Sequence, residues 1–451
     1  MDGNKRARRR HRRGIETLKS ILILLLSLTA IYLTMLALDY SKVSWAPLQG
    51  ILSLFRPETE QAPENTFSPG QSSISPKPVR MAVCDGVDRF ASQYDTQQTD
   101  QMFDELSILL TESLASAAAP RQITEEDWQD ALQAPGVWFD FLGAVPLDAL
   151  YAWLGDGGSN PALTPHAARR MVVALDDEGK VRLSYHNESD GLYYACDTTV
   201  VYTGHMDMLI SGYGSNGVSF VFELDDTSGY ESLDPYVLLS AGALQPPVYH
   251  VSNPLSDISD SMLSTLQQAV SFQPQSNSVY PVANGIRIRE GRETLEISGD
   301  GTVTYHAGDS DAYRYPISGG ENGSLFALTE ATWRLAADTV GRWCGTARLY
   351  LIGAEEQDDG SIQLSYGYSL NGAEVALPGG NCAARFSIRD GQITDYVLYF
   401  RSYEQTGQTS LVMRERQAAA ALDALDPEGR ELVLCYSDTG EDSVQAGWIA
   451  R

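Results

Sequence analysis

The residues with the most chemistry to offer are six histidines and five cysteines, and their spacing directs little of it. His205-Met206-Asp207 sets an imidazole and a carboxylate two positions apart, the beginning of a metal site, but no third ligand follows at a useful spacing. His186, His250 and His306 each end or follow a candidate strand without a second ligand at helical spacing. His166 precedes Arg169 and Arg170 in what reads as a surface loop, and His11 lies in a basic tail. Cys84, Cys196, Cys344, Cys382 and Cys435 are scattered and form no C-x-x-C pair, so neither a zinc ribbon nor a redox motif is supported. Their odd number leaves at least one thiol unpaired, and the spacing does not describe a disulfide framework. The run Gly212-Tyr213-Gly214-Ser215-Asn216-Gly217 lacks the spacing of a phosphate cradle and reads as a turn. No G-x-S-x-G, G-x-x-x-x-G-K-[ST] or H-E-x-x-H occurs. Acidic clusters at Asp225-Asp226, Asp309/Asp311 and Glu355-Glu356-Gln357-Asp358-Asp359 lack calcium-loop spacing and read as solvated turns. The sequence therefore predicts no catalytic, cofactor or metal site. A pair of carboxylates brought together only in space stays open, because such pairs have no sequence spacing.

Charge is more telling than motif. Lys and Arg number 32 against 59 Asp and Glu, a formal net charge of −27. Residues 1–19 hold eight of the basic and two of the acidic residues, which leaves 24 against 57, a net of −33, for the rest. A body this acidic is repelled by nucleic acid, by anionic lipid headgroups and by anionic wall polymers, so no nucleic-acid partner is expected. From Ser20 to Leu38 (SILILLLSLTAIYLTMLAL) no residue is charged. At ~1.5 Å per residue this run can cross a hydrocarbon layer of roughly 30 Å. The basic flank stays cytoplasmic by the positive-inside rule, and the remainder lies outside the cell. A cleaved signal peptide is the competing reading. The length of the apolar run and the lack of an A-x-A-like site count against it. Ser20, Ser27 and Thr34 are seven apart, and Ala30 and Ala37 each follow one of them by three. Ser27, Ala30, Thr34 and Ala37 thus form a face of small side chains on which a partner helix could pack. Chance placement in an apolar helix is the bland alternative.

The elements beyond the span predict an α+β fold of antiparallel sheets with helices packed on them. Residues 39–78 read as a juxtamembrane segment, with Trp45 as an interfacial anchor, and a Pro/Ser/Gln/Glu-rich linker. A first outer domain, 79–251, opens with a strand at Arg80–Cys84. A helix follows over 99–117, with Phe103, Leu106, Leu110, Leu114 and Ala117 on one face. Thr124 and Asp127 read as a capping box before Trp128 and Leu132, and a third helix spans 146–154, closed by Gly155. Strands are predicted over 171–175, 181–185, 193–202 and 218–224. A central domain, 252–345, has a helix through Ile258, Met262, Leu266 and Val270. Alternating strands then carry Ile286, Ile288, Leu295, Ile297, Val303 and Tyr305, before a helix over 328–340. A last domain, 346–451, reads as a meander over 348–352, 362–370, 383–388 and 396–401. A helix over 411–425 and strands over 432–436 and 446–449 complete it.

The run from Leu266, LQQAVSFQPQSNSVYPVANGIRIREGRETLEISGDGTVTYH, resembles the central domain of the YycH family. The likeness lies in Tyr280, Asn284-Gly285-Ile286-Arg287, Leu295-Glu296-Ile297 and Gly301-Thr302-Val303-Thr304-Tyr305. The stretches LSYGYSLNGAEV and ARFSIRDGQITDYVLYFRSY, with the terminal GWIAR, resemble the C-terminal domain shared by YycH and YycI proteins. The resemblance implies a membrane regulator of an essential sensor histidine kinase governing cell-wall metabolism in Gram-positive bacteria. Its implied partners are the kinase and a YycI-like single-span membrane protein, and it carries no catalytic residues. Two other functions stay in view. One is an extracytoplasmic ligand sensor whose cleft Trp333, Trp343, Tyr366 and Tyr368 could line. The other is a membrane-anchored wall enzyme.

Overall fold

All five residues of β1 (Arg80–Cys84) are buried, which requires cover on both faces of its sheet. The computed structural model describes residues 77–451 apart from 156, 225–228, 231, 241, 309–313, 319–323 and 426–430. The expected basic tail, the expected span with Ser27, Ala30, Thr34 and Ala37, and most of 39–78 lie outside the described residues, as do Asp225-Asp226 and Asp309/Asp311. Among the described residues no helix is long and apolar enough to cross a membrane.

Strand β1 is followed by β2 (Arg89–Gln93) and α1 (Thr96–Ser116), whose first turn is capped by Asp95 accepting the Gln98 N–H at 3.0 Å. Next come β3 (Arg121–Ile123) and α2 (Glu125–Gln133), opened by the expected capping box between Thr124 and Asp127. Strand β4 (Gly136–Pro146) leads into α3 (Leu147–Leu154), which Gly155 ends as expected. Strands β5 (Ala167–Leu175), β6 (Val181–Asn187) and β7 (Leu192–Asp197) follow. These strands form a seven-stranded antiparallel sheet in the order β2-β1-β4-β5-β6-β7-β3. Met81, Val83, Val137, Phe139 and Val173 pack with Leu106 and Leu110 of α1 and Leu150 of α3. Ala82, Trp138, Val172 and Ala174, the alternate positions, pack with Trp128 of α2, Phe220 and Tyr236.

Four sequence expectations are corrected in this half. Strand β4 was not expected, because a strand buried on both faces carries no alternation. Arg169 and Arg170 lie inside β5 and are not on a loop. The strand expected over 193–202 stops at Asp197. The strand expected over 218–224 is only β8 (Ser219–Phe220), and it follows the short α4 (Asp207–Ile210).

Strand β8 pairs with β9 (Leu238–Leu239), and β10 (Pro247–Ser252) then leaves the first half. After α5 (Asp260–Ala269) come β11 (Ser278–Val282), β12 (Gly285–Glu290), β13 (Glu293–Ser298) and β14 (Thr302–His306), then α6 (Leu325–Asp338). The meander comprises β15 (Arg348–Glu356), β16 (Ile362–Leu370), β17 (Ala373–Ala376), β18 (Ala384–Arg389), β19 (Gln392–Tyr399) and β20 (Ser402–Thr409). Helix α7 (Glu415–Leu425) and strands β21 (Leu432–Ser437), β22 (Ser443–Val444) and β23 (Ala446–Ala450) finish the chain. An eleven-stranded sheet runs β11-β12-β13-β14-β19-β18-β16-β17-β21-β23, with β15 on β16; all its pairs are antiparallel except β17 with β21. Strands of 278–306 and those of 348–450 other than β20 and β22 share this sheet and one core, in which Leu295, Tyr305, Tyr366, Phe386 and Tyr396 pack with Leu266 and Trp333. The boundary expected at 345/346 falls inside that core. Strand β10 pairs with β20 and β22 in a separate three-stranded sheet, so the end of the expected first domain is held by residues of the last. The α+β class predicted from the sequence is what the chain adopts.

The two halves are joined at matched irregularities. Strand β4 shifts register between Asp140 and Val145, and β15 does so between Leu351 and Gly353. Gly143 lies there against the Leu351 carbonyl, where a Cβ would sit 1.8 Å from the oxygen. Beside this contact Asp140, fully buried, stands directly between Arg80 and Arg170 on the neighbouring strands. Arg169 donates to both Asp140 oxygens at 2.9 and 3.0 Å and to both Glu431 oxygens at 2.7 Å. Arg170 reaches Glu431 at 2.8 Å. Burial by itself would raise the Asp140 pKa, but Arg169, then Arg80 and Arg170, outweigh it and hold it at about 2. Glu431 is held well below the ordinary carboxylate range by Arg170 and Arg169, against the opposing effect of burial.

Asp140→Asn leaves buried guanidinium charge uncompensated and should cost about 3–5 kcal/mol in urea unfolding. Both carboxylates are depressed below an unfolded value of about 4, so their contribution is complete above that pH and is lost as pH falls toward 2. The wild type should therefore lose stability over that interval, and Asp140→Asn should lose less. Gly143→Ala should separate the halves locally at a cost of about 1–3 kcal/mol, with raised hydrogen exchange in β4 and β15.

Candidate functional site

A cleft of about 830 Å³ opens between the start of α1, the end of α6 and the strands β10, β15 and β16. Its apolar walls are Trp333, Tyr249 and Tyr350, and its charged rim is Lys77, Asp100 and Arg348. Each group is placed by its element. Trp333 projects from α6 between Trp153 of α3, with ring centroids 5.6 Å apart, and Tyr366 of β16, at 5.5 Å. Tyr249 is held in β10 and packs edge-on to Tyr436. Asn371, in the tight turn after β16 with φ at 50°, accepts the Thr96 N–H of α1 at 3.1 Å and donates to the Tyr94 carbonyl. That turn therefore fixes the start of α1 against the second half.

The rim is an ion-pair chain. Arg348 donates to both oxygens of Asp100 at 2.7 and 2.6 Å, and Lys77 lies 3.6 Å from Asp100 and 3.5 Å from Asp104. Burial raises the Asp100 pKa, while the Arg348 hydrogen bonds and charge and then Lys77 lower it further, leaving it below the usual range. The Cys344 thiol at the cleft wall is pushed up to about 11 by burial, so it stays protonated and unreactive at neutral pH. An aromatic floor with a fork of paired charges at its edge is a binding geometry, suited to a ligand with an apolar body and a polar end.

The residues weighed from the sequence fall as follows. Trp333 lines the cleft. Trp343 packs instead on Phe400, and Tyr366 and Tyr368 are fully buried, bonded to Thr332 and to the Tyr399 carbonyl. His205 lies 2.8 Å from Glu112 of α1, while Asp207 accepts the Gly204 N–H and closes a local turn. Among the described residues no three of His, Cys, Asp and Glu gather where a metal could sit. In the glycine-rich run, Asn216 clasps both backbone groups of Ala91 in β2 and so ties a turn to the sheet. His166 lies in the loop before β5 and is half-buried; its Nδ1 lies 3.0 Å from the Tyr185 hydroxyl, and partial burial lowers its pKa. All five cysteines are free. The small-residue face of Ser27, Ala30, Thr34 and Ala37 is not part of this geometry, being outside the described residues. Sequence reasoning missed Asp100 and Arg348, which lie 248 positions apart, so no spacing could have joined them.

No family model matches the chain, and no curated protein matches it. Among solved structures it is similar to the crystal structure of YycH from Bacillus subtilis, with a TM-score of 0.51 and 12% identity. The match covers 83% of this chain and 93% of that one. At that identity the likeness is one of fold.

The half-exposed rim pair contrasts with the buried junction. Arg348→Ala should change stability by less than about 1 kcal/mol, because solvent screens such pairs. It should also move the Asp100 pKa upward toward the ordinary carboxylate value, read by NMR titration of that side chain.

Proposed function

We propose that this chain is a non-enzymatic, single-pass membrane protein that regulates a two-component sensor histidine kinase controlling cell-wall metabolism. The observation that carries the reading is the YycH-like fold extending over most of the chain. It coincides with the strand-and-turn pattern from which the family resemblance was drawn. Leu295, Ile297, Val303 and Tyr305 of that pattern are core residues of β13 and β14, so the pattern reports the scaffold and not a reacting site. In this reading residues 20–38 anchor the chain with its N-terminus in the cytoplasm and its folded part outside. Regulation proceeds through contacts with the kinase and a YycI-like single-span protein. Ser27, Ala30, Thr34 and Ala37 form the intramembrane contact, which biases a two-state equilibrium in the partner.

The test is crosslinking and co-purification of the full-length chain from its native membrane, beside a form whose residues 20–38 are all leucine. Recovery of a sensor kinase with the native chain and its loss with poly-leucine or Ala30→Leu is the expected result. Equal recovery from all three would place the contact in the outer region and remove the small-residue face. Recovery of no membrane partner would overturn the reading.

The cleft favours a second reading, an extracytoplasmic sensor of a small molecule or wall fragment. A rise in melting temperature with soluble wall fragments, abolished by Trp333→Ala, would establish it; an unchanged melting temperature would not.

A further inference from the structure

One end of the fold departs from the charge of the rest. In a chain with 59 Asp and Glu, no carboxylate occurs from Pro235 to Ser256, from Gln405 to Arg414, or from Ser443 to Arg451. The topology brings these three segments together. Pro247 of β10 pairs with Thr409 of β20, and Tyr249 pairs with Val444 of β22. Beyond the strands, Ser410 donates its N–H to the Pro246 carbonyl at 2.7 Å and accepts the Ala446 N–H on its hydroxyl at 3.1 Å. Trp448 donates its indole N–H to the Met413 carbonyl at 2.8 Å. The loop 410–413 is thereby pinned at both ends. The helix expected to begin at Leu411 starts only at Glu415.

That loop presents its apolar side chains outward. Val412 packs inward against the core, while Leu411 is 101% exposed and Met413 53%. Exposed Arg414 and Arg416 stand behind them. Glu415 between the arginines is buried and accepts the Ser240 N–H at 2.8 Å, so its carboxylate is turned away from the surface. A single exposed leucine means nothing. Two large apolar side chains on a braced loop, backed by arginines and set in an acid-free end, form the pattern of an interfacial lipid contact. The apolar tips enter the headgroup boundary and the guanidiniums meet phosphate.

Position agrees with chemistry. Pro247 and Gln405 line the same cleft as Lys77, Pro78 and Val79, where the described chain begins. Leu411 lies two residues beyond the partner of Pro247, or roughly 7 Å farther along at strand spacings. Lys77, the first described residue, therefore lines the same cleft as the strands that carry this loop. We propose that the end formed by residues 242–248, 405–416 and 444–448 seats on a bilayer surface containing anionic phospholipid, with Leu411 and Met413 inserted. The acidic remainder, repelled by the same surface, fixes the orientation. The proposal rests on the membrane-anchored reading above, and its test separates the two.

The full-length chain, in a Cys382→Ser background, is labelled with an environment-sensitive fluorophore at Gln408→Cys or, as a distant exposed control, at Val87→Cys. It is then reconstituted into phosphatidylcholine vesicles with or without phosphatidylglycerol. Resistance to alkaline carbonate extraction reports the anchor independently of the loop. The expected result is a blue-shifted position-408 probe, quenched by brominated lipid in anionic vesicles. The signal should be lost in neutral vesicles and in Leu411→Ser/Met413→Ser, with position 87 unaffected throughout. A position-408 probe as aqueous as position 87 in carbonate-resistant protein overturns the proposal and leaves the anchor intact. Shielding from aqueous iodide without quenching by brominated lipid would mark contact with a second copy of the chain and also overturn it. If carbonate extracts the chain, the anchor reading fails, and the same comparison with added vesicles still decides the loop.

Discussion

Asp140 is the constraint on which the rest of the structure depends. A carboxylate with no solvent exposure is costly to desolvate and is stable only when opposing charge surrounds it in good geometry. Here the opposing charge comes from Arg80 in β1 and from Arg169 and Arg170 in β5, and a second carboxylate from a third part of the chain, Glu431 just before β21, shares those arginines. Such networks add little net stability over a well-packed apolar core, but they penalise every arrangement that leaves one member unpaired. Glu431 is reached only if the terminal strand pair of the eleven-stranded sheet is docked against the seven-stranded one. The network therefore selects one relation between the sheets. The bulges of β4 and β15, meeting at Gly143, provide the close approach that this relation needs.

The cleft is a consequence of that docking. Its floor belongs to α6 and β10 and its rim to α1 and β15, so neither half contains it alone. Arg348 and Asp100 close one side and Asn371 closes another, each linking residues far apart in sequence. A second buried fork, Arg401 on Asp438 at 2.8 and 2.7 Å with the Tyr403 hydroxyl at 2.9 Å, braces the start of β20 against the turn after β21. The acid-free end lies at the far end of β20, so cleft and loop share a strand and are held by the same bracing.

Much of this fold was legible because its signals are local. The capping box of Thr124 and Asp127, the stop at Gly155 and the strand Ile362–Leu370 each depend on residues within a few positions. The alternation of Leu295, Ile297, Val303 and Tyr305 survives because one face of those strands meets solvent. Strand β4 was illegible for the opposite reason. Both its faces are covered, so GVWFDFLGAVP has no period to read, and its one charged residue argues against burial until its partners are known. Arg169 and Arg170 read as a loop by the same logic, since adjacent arginines look solvated when Glu431 is 262 positions away. The cleft was foreseen only in Trp333. The aromatics proposed beside it were drawn into the core, where Tyr366 and Tyr368 still find hydroxyl partners.

The choice of cation ties these features together. Beyond Lys77 the chain has one further lysine, Lys180, and its other permanently cationic side chains are arginine. A guanidinium offers a rigid fork that satisfies two carboxylate oxygens at once and stays charged when buried, which an ammonium does less well. Arg169, Arg348 and Arg401 each use that fork within the fold. Part of the positive charge is in this way paired within the fold, and the carboxylates are left in excess over the outer surface. A partner meeting that surface must be cationic or neutral. An anionic one can approach only where the carboxylates give out, at the end carrying Leu411, Met413 and Arg414.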